Sequence, residues 1–161
     1  MKKASQKQKL RPTSELVKTA LFNMLGDIEG LSFLDLFAGT GQIGLEAESR
    51  GAHVVFVEKN RKLAESIRAK TGGKVFVSDA LKFLSSWDEQ FDIIFADPPY
   101  AYEFYDKLIE LCIKRLKRGG IFVLEHGKKL NLPCDKRKVY GDTVLSIWRK
   151  EDEESGLSGH L

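Results

Sequence analysis

The feature that most constrains this fold is a regular alternation of short apolar runs with amphipathic stretches. The apolar runs occupy residues 31–37, 52–58, 74–78, 91–97 and 121–126. A continuous apolar run of this length is typical of a strand that is covered on both faces of a sheet. The stretches between the runs carry apolar residues at helical spacing and are bounded by cap residues such as Ser, Asn and Gly. This alternation predicts an α/β fold with a doubly wound, mostly parallel sheet.

The last part of the domain departs from this pattern. Residues 136–150, KRKVYGDTVLSIWRK, predict two short strands joined by a turn at YGDT, which form an antiparallel C-terminal hairpin. Together with the runs above, the hairpin gives a seven-stranded, Rossmann-like sheet. The 161 residues suffice for one domain with its own core. We expect that domain over residues 11–150, between a basic N-terminal arm at 1–10 and an acidic, flexible tail at 151–161.

The net charge of +3 is unevenly distributed along the chain. Residues 1–18 carry six basic side chains and one acidic side chain, whereas residues 151–154 are all acidic. A basic arm is either merely solvated or contacts nucleic-acid phosphates, and the sequence leaves both interpretations open.

The sequence also sets expectations about compartment and partners. No apolar run approaches the ~18 residues of a membrane span, and no apolar segment follows the N-terminal lysines as in a signal peptide. Cys112 and Cys134 lie far apart and form no C-x-x-C pair. We therefore expect reduced thiols in a cytoplasmic, monomeric protein with no metal site and no membrane association.

The predicted strand ends carry the residues that a ligand would meet. In a doubly wound sheet, ligands bind at the carboxyl ends of the strands, near the topological switch point. The first strand leads into G-x-G-x-x-G at Gly39, Gly41 and Gly44, where glycines allow a tight turn and close approach of a ligand to a helix N-terminus. The second strand ends at Glu58, placed to accept hydrogen bonds from ribose hydroxyls. Asp79 follows the third strand, near where an adenine would lie.

These signals alone leave two cofactors open. NAD and S-adenosylmethionine both present an adenosine ribose, and strand–helix packing alone would also explain the glycines. The fourth strand separates the two, because it ends in Asp97, Pro98, Pro99 and Tyr100. A hydride-transfer site has no evident use for a carboxylate followed by a rigid Pro-Pro and an aromatic ring.

This strand exit suits methyl transfer to an exocyclic amine. The amino nitrogen of guanine or adenine is a poor nucleophile because its lone pair is delocalised into the ring. The Asp97 carboxylate and the Pro98 carbonyl would accept its two N–H groups and hold the lone pair toward the methyl donor. Pro99 keeps the exit stiff, and Tyr100 would stack on a base that has left its helix. The structural alternative is a proline-rich strand exit whose tyrosines cover the core.

Six segments then form a recognisable series: RPTSELVKTALFNMLG, FLDLFAGTGQIGLEAESRGA, VFVEKN, SDALKFL, FDIIFADPPY and YGDTVLSIW. In this order they resemble the bacterial methyltransferases that make N2-methylguanosine in 16S ribosomal RNA (the guanine-966 type). The resemblance runs from about Arg11 to Trp148. The DPPY box alone is shared with adenine-N6 DNA methyltransferases, whereas its combination with the RPT and LFAGTG segments is more specific.

The resemblance implies a class I, S-adenosylmethionine-dependent methyltransferase domain that acts on ribosomal RNA or on the assembling small ribosomal subunit. It implies cofactor contacts from Arg11, Thr13, Asp35, Phe37, Gly39, Gly41, Glu58, Asp79 and Ala80, with Asp97 to Tyr100 as the catalytic clamp. Arg11 and Thr13 resemble the segment that closes over the methionine end of the cofactor. Thr13 also fits a plain helix N-cap, and the two roles are compatible.

The chain departs from the family pattern at its N-terminus. Only ten residues, MKKASQKQKL, precede RPT, where the family usually has a longer basic β-hairpin, and Lys18-Thr19 stands where the family often has Arg-Glu. RNA docking is the property that these differences touch, since the catalytic segment is intact.

Three rival functions remain beside the preferred one. An adenine-N6 DNA methyltransferase would keep the chemistry, but the modest charge of the body and the lack of a separate target-recognition domain argue against reading DNA unaided. An NAD-dependent dehydrogenase fits the glycines and is not favoured by DPPY. A catalytically idle RNA-binding module would not need all the strand-end signals together.

Overall fold

The computed structural model describes residues 14–151 as five helices and seven strands of a single sheet. In chain order the elements are α1 (Glu15–Leu25), β1 (Ser32–Leu36), α2 (Gln42–Ser49), β2 (His53–Glu58), α3 (Arg61–Arg68), β3 (Lys74–Val77), α4 (Ala80–Ser86), β4 (Phe91–Ala96), α5 (Tyr105–Lys114), β5 (Leu116–Gly127), β6 (Lys136–Tyr140) and β7 (Thr143–Arg149). The strand order is β3-β2-β1-β4-β5-β7-β6. Neighbours from β3 to β5 are parallel, and β7 is antiparallel to β5 and β6. This confirms the predicted seven-stranded α/β sheet with its antiparallel hairpin.

The sheet is buried on both faces. Successive residues of a central strand belong to opposite core layers: Phe33 and Phe95 pack under α1, α2 and α3, whereas Leu34 and Ile94 pack under α4 and α5. Burying a side chain of this size contributes roughly 1.5–3 kcal/mol. Because both faces are covered, the strands carry continuous apolar runs instead of an alternating pattern.

Side-chain caps fix the beginnings of three helices. The Ser14 hydroxyl accepts the N–H of Val17 at 3.3 Å, the Asn60 side chain accepts that of Leu63 at 3.0 Å, and Asp79 caps α4 in the same way. Such caps are worth about 1 kcal/mol each. The N-cap of α1 is therefore Ser14, and the alternative interpretation of Thr13 as the helix N-cap is not supported.

The sequence of residues 102–120, YEFYDKLIELCIKRLKRGG, predicts a long amphipathic helix with basic residues in its last turn, but α5 is shorter than this pattern. It spans only Tyr105–Lys114, and β5 already begins at Leu116, which pairs with Phe91 before the register shifts. Gly119 adopts a left-handed φ of +80°. Its N–H donates to the carbonyl of Lys150, just after β7, at 2.8 Å. Because β5 pairs with β4 here, the basic residues after the helix form an irregular part of β5 and not a last helical turn.

The register brings the functional segments to one side of the sheet. Leu36 pairs with Ala96, so β1 and β4 end side by side, and β2 ends at Glu58 next to them. Gly127 at the end of β5 pairs with Thr143, which places the β6–β7 turn on the same side. We call this side, formed by the ends of β1 to β5 and the β6–β7 turn, the carboxyl edge.

Three further observations concern membrane spans, metal ions and the cysteines. No helix among residues 14–151 is long and apolar enough to cross a bilayer. In the same part of the chain, no group of three or more His, Cys, Asp or Glu side chains is arranged to hold a metal ion. Cys112 is buried, Cys134 is half-buried, and both are free thiols.

Candidate active site

The loop after β1 has a strained backbone. Phe37, Gly39 and Gly41 have left-handed φ angles of +56°, +59° and +83°, and the Gly41 N–H donates to the Ala38 carbonyl at 2.8 Å. Glycine adopts this conformation freely, whereas a phenylalanine does so at a cost and is found mostly at functional sites. The loop leads directly into α2, so its amides lie at a helix N-terminus.

The third glycine of the motif serves packing. A Cβ atom at Gly44 would collide with the Phe56 ring and lie 2.9 Å from the Asp35 Oδ2 atom. The Gly44 N–H also donates to that oxygen at 2.9 Å. Gly44 is therefore required for α2 to approach the sheet closely, as the third glycine of such motifs generally does.

Asp35 is a buried carboxyl group below the glycine loop. Its side chain is 1% exposed. Desolvation raises its pKa to about 8, opposed by the Gly44 N–H and reinforced by the negative charge of Glu58. Near neutral pH this carboxyl group is therefore largely protonated in the protein on its own.

Glu58 joins two backbone segments. Its Oε1 accepts the N–H of Gly39 at 2.7 Å, and its Oε2 accepts the N–H of Asn60 at 2.8 Å. A carboxylate has about four acceptor positions, so both oxygens retain capacity for a further hydrogen bond. Sequence reasoning expected only the ribose role and missed this loop anchor, because the partners are backbone groups.

The end of β3 presents a cap and a buried alanine. Asp79 is exposed and accepts the N–H of Lys82 at 3.1 Å. Ala80 begins α4 and is 4% exposed. The Asp79 side chain thus has a structural role at the position where an adenine contact was expected.

The DPPY exit leaves the end of β4 as a turn. Pro98 is buried, Asp97 is half-buried, and Pro99 is exposed. The Pro99 carbonyl accepts the N–H of Tyr102 at 3.0 Å, which closes the turn. Tyr100 is 99% exposed and does not cover the core, whereas Tyr102 packs against it, as the structural alternative expects of the tyrosines.

A cluster of aromatic rings lies behind this turn. Tyr102 is edge-on to Phe37 and to Tyr105, each at 5.2 Å, and contacts Phe104 at 5.8 Å. Desolvation raises the pKa of Tyr102 to about 12, with Asp79 among the lesser causes. The cluster therefore links the glycine loop to the DPPY turn. The sequence shows the rings in YAYEFY but not that Phe37 joins them.

Arg11 and Thr13 lie outside the described residues, as does the arm at 1–10.

His126, at the end of β5, is buried. Its Nδ1 lies 2.8 Å from the Gly127 carbonyl, and its Nε2 lies 2.7 Å from the Ser146 hydroxyl. Since a carbonyl only accepts, Nδ1 carries the proton and the hydroxyl donates to Nε2. Burial lowers the pKa of His126, so this pair is a neutral, structural contact.

An open seven-stranded sheet with a glycine loop after β1, a carboxylate at the end of β2 and DPPY after β4 defines a class I, S-adenosylmethionine-dependent methyltransferase. Residues 2–149 match the family described as Conserved hypothetical protein 95, and the chain belongs to it. The chain is 36% identical to the ribosomal RNA small subunit methyltransferase D of Escherichia coli, with 88% of this chain and 80% of that protein covered.

Two solved structures share this fold. A hypothetical protein of Thermus thermophilus has a TM-score of 0.79 at 32% identity, over 86% of this chain and 87% of that one. An RNA methyltransferase of Salinibacter ruber, in complex with S-adenosyl-L-homocysteine, has a TM-score of 0.69 at 17% identity, over 87% of this chain and 94% of that one. The predictions of family, fold, enzyme class and cofactor are thereby confirmed.

The residues at the carboxyl edge fit the cofactor. A Cβ atom at Gly39 would meet only the Phe37 carbonyl, at 4.0 Å, so the loop backbone is open to a ligand. The carboxylates of Glu58 and Asp79 are acceptors, which suits ribose hydroxyls and an adenine amino group. The site combines an unobstructed loop surface with acceptors on neighbouring strands, which suits an adenosine group.

Proposed function

We propose that this protein methylates the exocyclic N2 amine of a guanine in small-subunit ribosomal RNA. The observation that carries the proposal is the DPPY turn, which follows β4 directly beside the glycine loop of β1 and leaves Tyr100 fully exposed. The family membership supports the same reaction, since the Escherichia coli relative is named for the ribosomal RNA of the small subunit.

In this proposal Asp97 and Pro98 hold the target amine. The Asp97 carboxylate and the Pro98 carbonyl accept its two N–H groups, which directs the nitrogen lone pair out of the ring plane. The carboxylate also stabilises the positive charge that develops on nitrogen. Pro99 keeps the turn rigid, and the exposed Tyr100 ring stacks on the flipped guanine.

The cofactor, when bound, supplies an electrophilic methyl group on its sulfonium. We assign the cofactor to the glycine loop, where the backbone of Phe37, Gly39 and Gly41 would contact it. Glu58 accepts from the ribose hydroxyls, and Asp79 with Ala80 borders the adenine. Asp35 supports the loop from below, and we assign it to the cationic methionine end, whose positive charge would favour the ionised carboxylate over the protonated form of the free protein.

The remaining assignments rest on the sequence alone. We assign Arg11 and Thr13 to the segment that closes over the methionine end. The substrate is ribosomal RNA or the assembling small subunit, the protein acts as a monomer, and its compartment is the cytoplasm.

The test is transfer of labelled methyl groups to ribosomal RNA from cells that lack the protein, followed by nucleoside analysis. We expect N2-methylguanosine, with transfer slowed at least about a hundredfold in the control variant Asp97→Ala. N6-methyladenosine as the product would contradict the assignment of the target amine. If calorimetry showed tight NAD binding and no binding of S-adenosylhomocysteine, the cofactor assignment would fail.

A further inference from the structure

Exposed basic residues follow two strands of the carboxyl edge. Lys59, Arg61 and Lys62 follow β2, close to the carboxylates of Glu58 and Asp79, whereas Lys128 and Lys129 follow β5. Carboxylates suit hydroxyl and amino groups, and lysines are point charges that suit phosphates. Of the two groups, Lys128 and Lys129 follow the strand that pairs with β4, so along the sheet they are the nearer to the DPPY turn.

The register places these lysines beside the target site. Ala96 pairs with Leu124, and Asp97 follows Ala96 directly. Gly127 is still in the strand and lies two residues beyond the level of Asp97, about 7 Å further out on the adjacent strand. Lys128 is the next residue after Gly127. The turn that begins at Lys128 therefore lies beside the DPPY turn, further out along the direction of the strands.

This turn is held in place by side-chain and backbone hydrogen bonds. Arg137 Nη1 donates to the Leu130 carbonyl at 3.1 Å and to Asn131 Oδ1 at 3.3 Å, and its Nη2 donates to the Lys128 carbonyl at 3.3 Å. The Lys128 N–H donates to the Asp142 carbonyl at 3.2 Å in the β6–β7 turn. The backbone is fixed while both lysine side chains stay at the surface, which lowers the ordering cost of binding.

We propose that residues 128–131, the lysine ledge, bind phosphates of the RNA strand whose guanine enters the DPPY turn. Lys128 and Lys129 supply the charges. Arg137 is a positioning residue, since its guanidinium is engaged with the ledge backbone and acts through it. The inference rests on the proposed function and adds where the RNA is held.

The decisive variant is Lys128→Ala/Lys129→Ala. Its matched control is Lys70→Ala/Lys74→Ala, which removes two exposed lysines near the amino end of β3. The affinity for a ribosomal RNA fragment is measured against salt concentration. At a slope of about 0.7–0.9 per phosphate contact, the ledge variant should lose about 1.5 units of slope, and the control should match the wild type. Binding of S-adenosylhomocysteine should be unchanged in both.

Arg137→Lys tests the positioning role, because it keeps the charge and loses the guanidinium fork. We expect a several-fold higher KM for RNA with kcat close to the wild-type value. In the Arg137→Lys background, Lys128→Ala/Lys129→Ala should lower the RNA affinity less than it does in the wild-type protein, since the lysine ledge is already displaced.

Two outcomes overturn the ledge while leaving the proposed function intact. One is a wild-type salt slope in the ledge variant, and the other is an equal loss in the matched control, each with an active wild-type enzyme in the same assay. Failure of the wild-type protein to methylate any RNA is a different result. It removes the proposed function, and the ledge falls with it.

Discussion

The Glu58 carboxylate accepts the Gly39 N–H at 2.7 Å, so the acidic residue at the end of β2 holds the glycine loop of β1 in place. Its other oxygen accepts the Asn60 N–H at the start of α3. A single side chain therefore holds both the glycine loop and the start of α3. Because we also assign the ribose hydroxyls to this carboxylate, we expect cofactor affinity and local stability to be coupled at Glu58.

Substitutions at Glu58 should affect both properties. Glu58→Ala should weaken S-adenosylhomocysteine binding by about 1–3 kcal/mol, and it should lower the free energy of unfolding because two backbone N–H groups lose their acceptor. Glu58→Gln keeps one acceptor oxygen, so its cofactor affinity and its free energy of unfolding should lie between those of the wild type and Glu58→Ala. Calorimetry and denaturant unfolding measure the two effects. Wild-type affinity in Glu58→Ala would contradict the ribose assignment.

Asp35→Asn should change how stability depends on pH. The folded pKa of about 8 lies above the ~3.9 of an unfolded aspartate, so the folded state binds the proton more tightly. The resulting stability is complete below pH 4 and is lost as the pH rises toward 8. Asn does not titrate and can still accept the Gly44 N–H. The free energy of unfolding of the variant should therefore exceed that of the wild type by several kcal/mol at pH 8, since each pKa unit is worth about 1.4 kcal/mol, and by much less at pH 5.

Denaturant unfolding of both proteins from pH 5 to pH 8.5 checks this difference. Asp92→Asn is a useful comparison, because the Ser32 hydrogen bonds and Lys117 hold the pKa of Asp92 below its ordinary value and its substitution should destabilise the protein near neutral pH. Parallel pH profiles for Asp35→Asn and the wild type would show that Asp35 is ionised in the folded protein.

Substitution of Asp97 should separate chemistry from cofactor binding. Asp97→Ala removes one of the two acceptors for the target amine and should lower the single-turnover rate by about 10²–10³-fold. Asp97→Asn keeps the shape and one carbonyl acceptor, so a smaller loss is expected. Affinity for S-adenosylhomocysteine should stay close to wild type in both. A wild-type single-turnover rate in Asp97→Ala would show that the amine is held elsewhere.

Deletion of residues 2–9 should affect RNA binding without affecting the fold. It removes Lys2, Lys3, Lys7 and Lys9, so at about 0.7–0.9 per phosphate contact the salt slope should fall by up to about three units. Melting temperature and cofactor affinity should be unchanged, since Arg11 and Thr13 remain. An unchanged slope would mean that the arm is solvated and that RNA is held by the body of the protein.

The alternation of apolar runs with amphipathic stretches was sufficient to predict the sheet. Residues such as Phe33 and Leu34 face opposite core layers, and burial on both faces leaves a continuous apolar run that can be recognised locally. Because parallel strands end at one edge, the order of Gly39, Glu58 and Asp97 along the chain also predicted that they would share a side of the sheet. Local signals and a general rule of topology were enough for this part.

Tertiary structure decided what depends on residues far apart in sequence. The end of α5 at Lys114 follows from pairing of Leu116 with Phe91, which overrides a helical pattern that continues beyond it. Gly44 is needed because Phe56 lies against it. Likewise, the lysine ledge takes its shape from Arg137 on another strand. Each of these depends on the free energy of long-range contacts, which local propensities of the sequence do not contain.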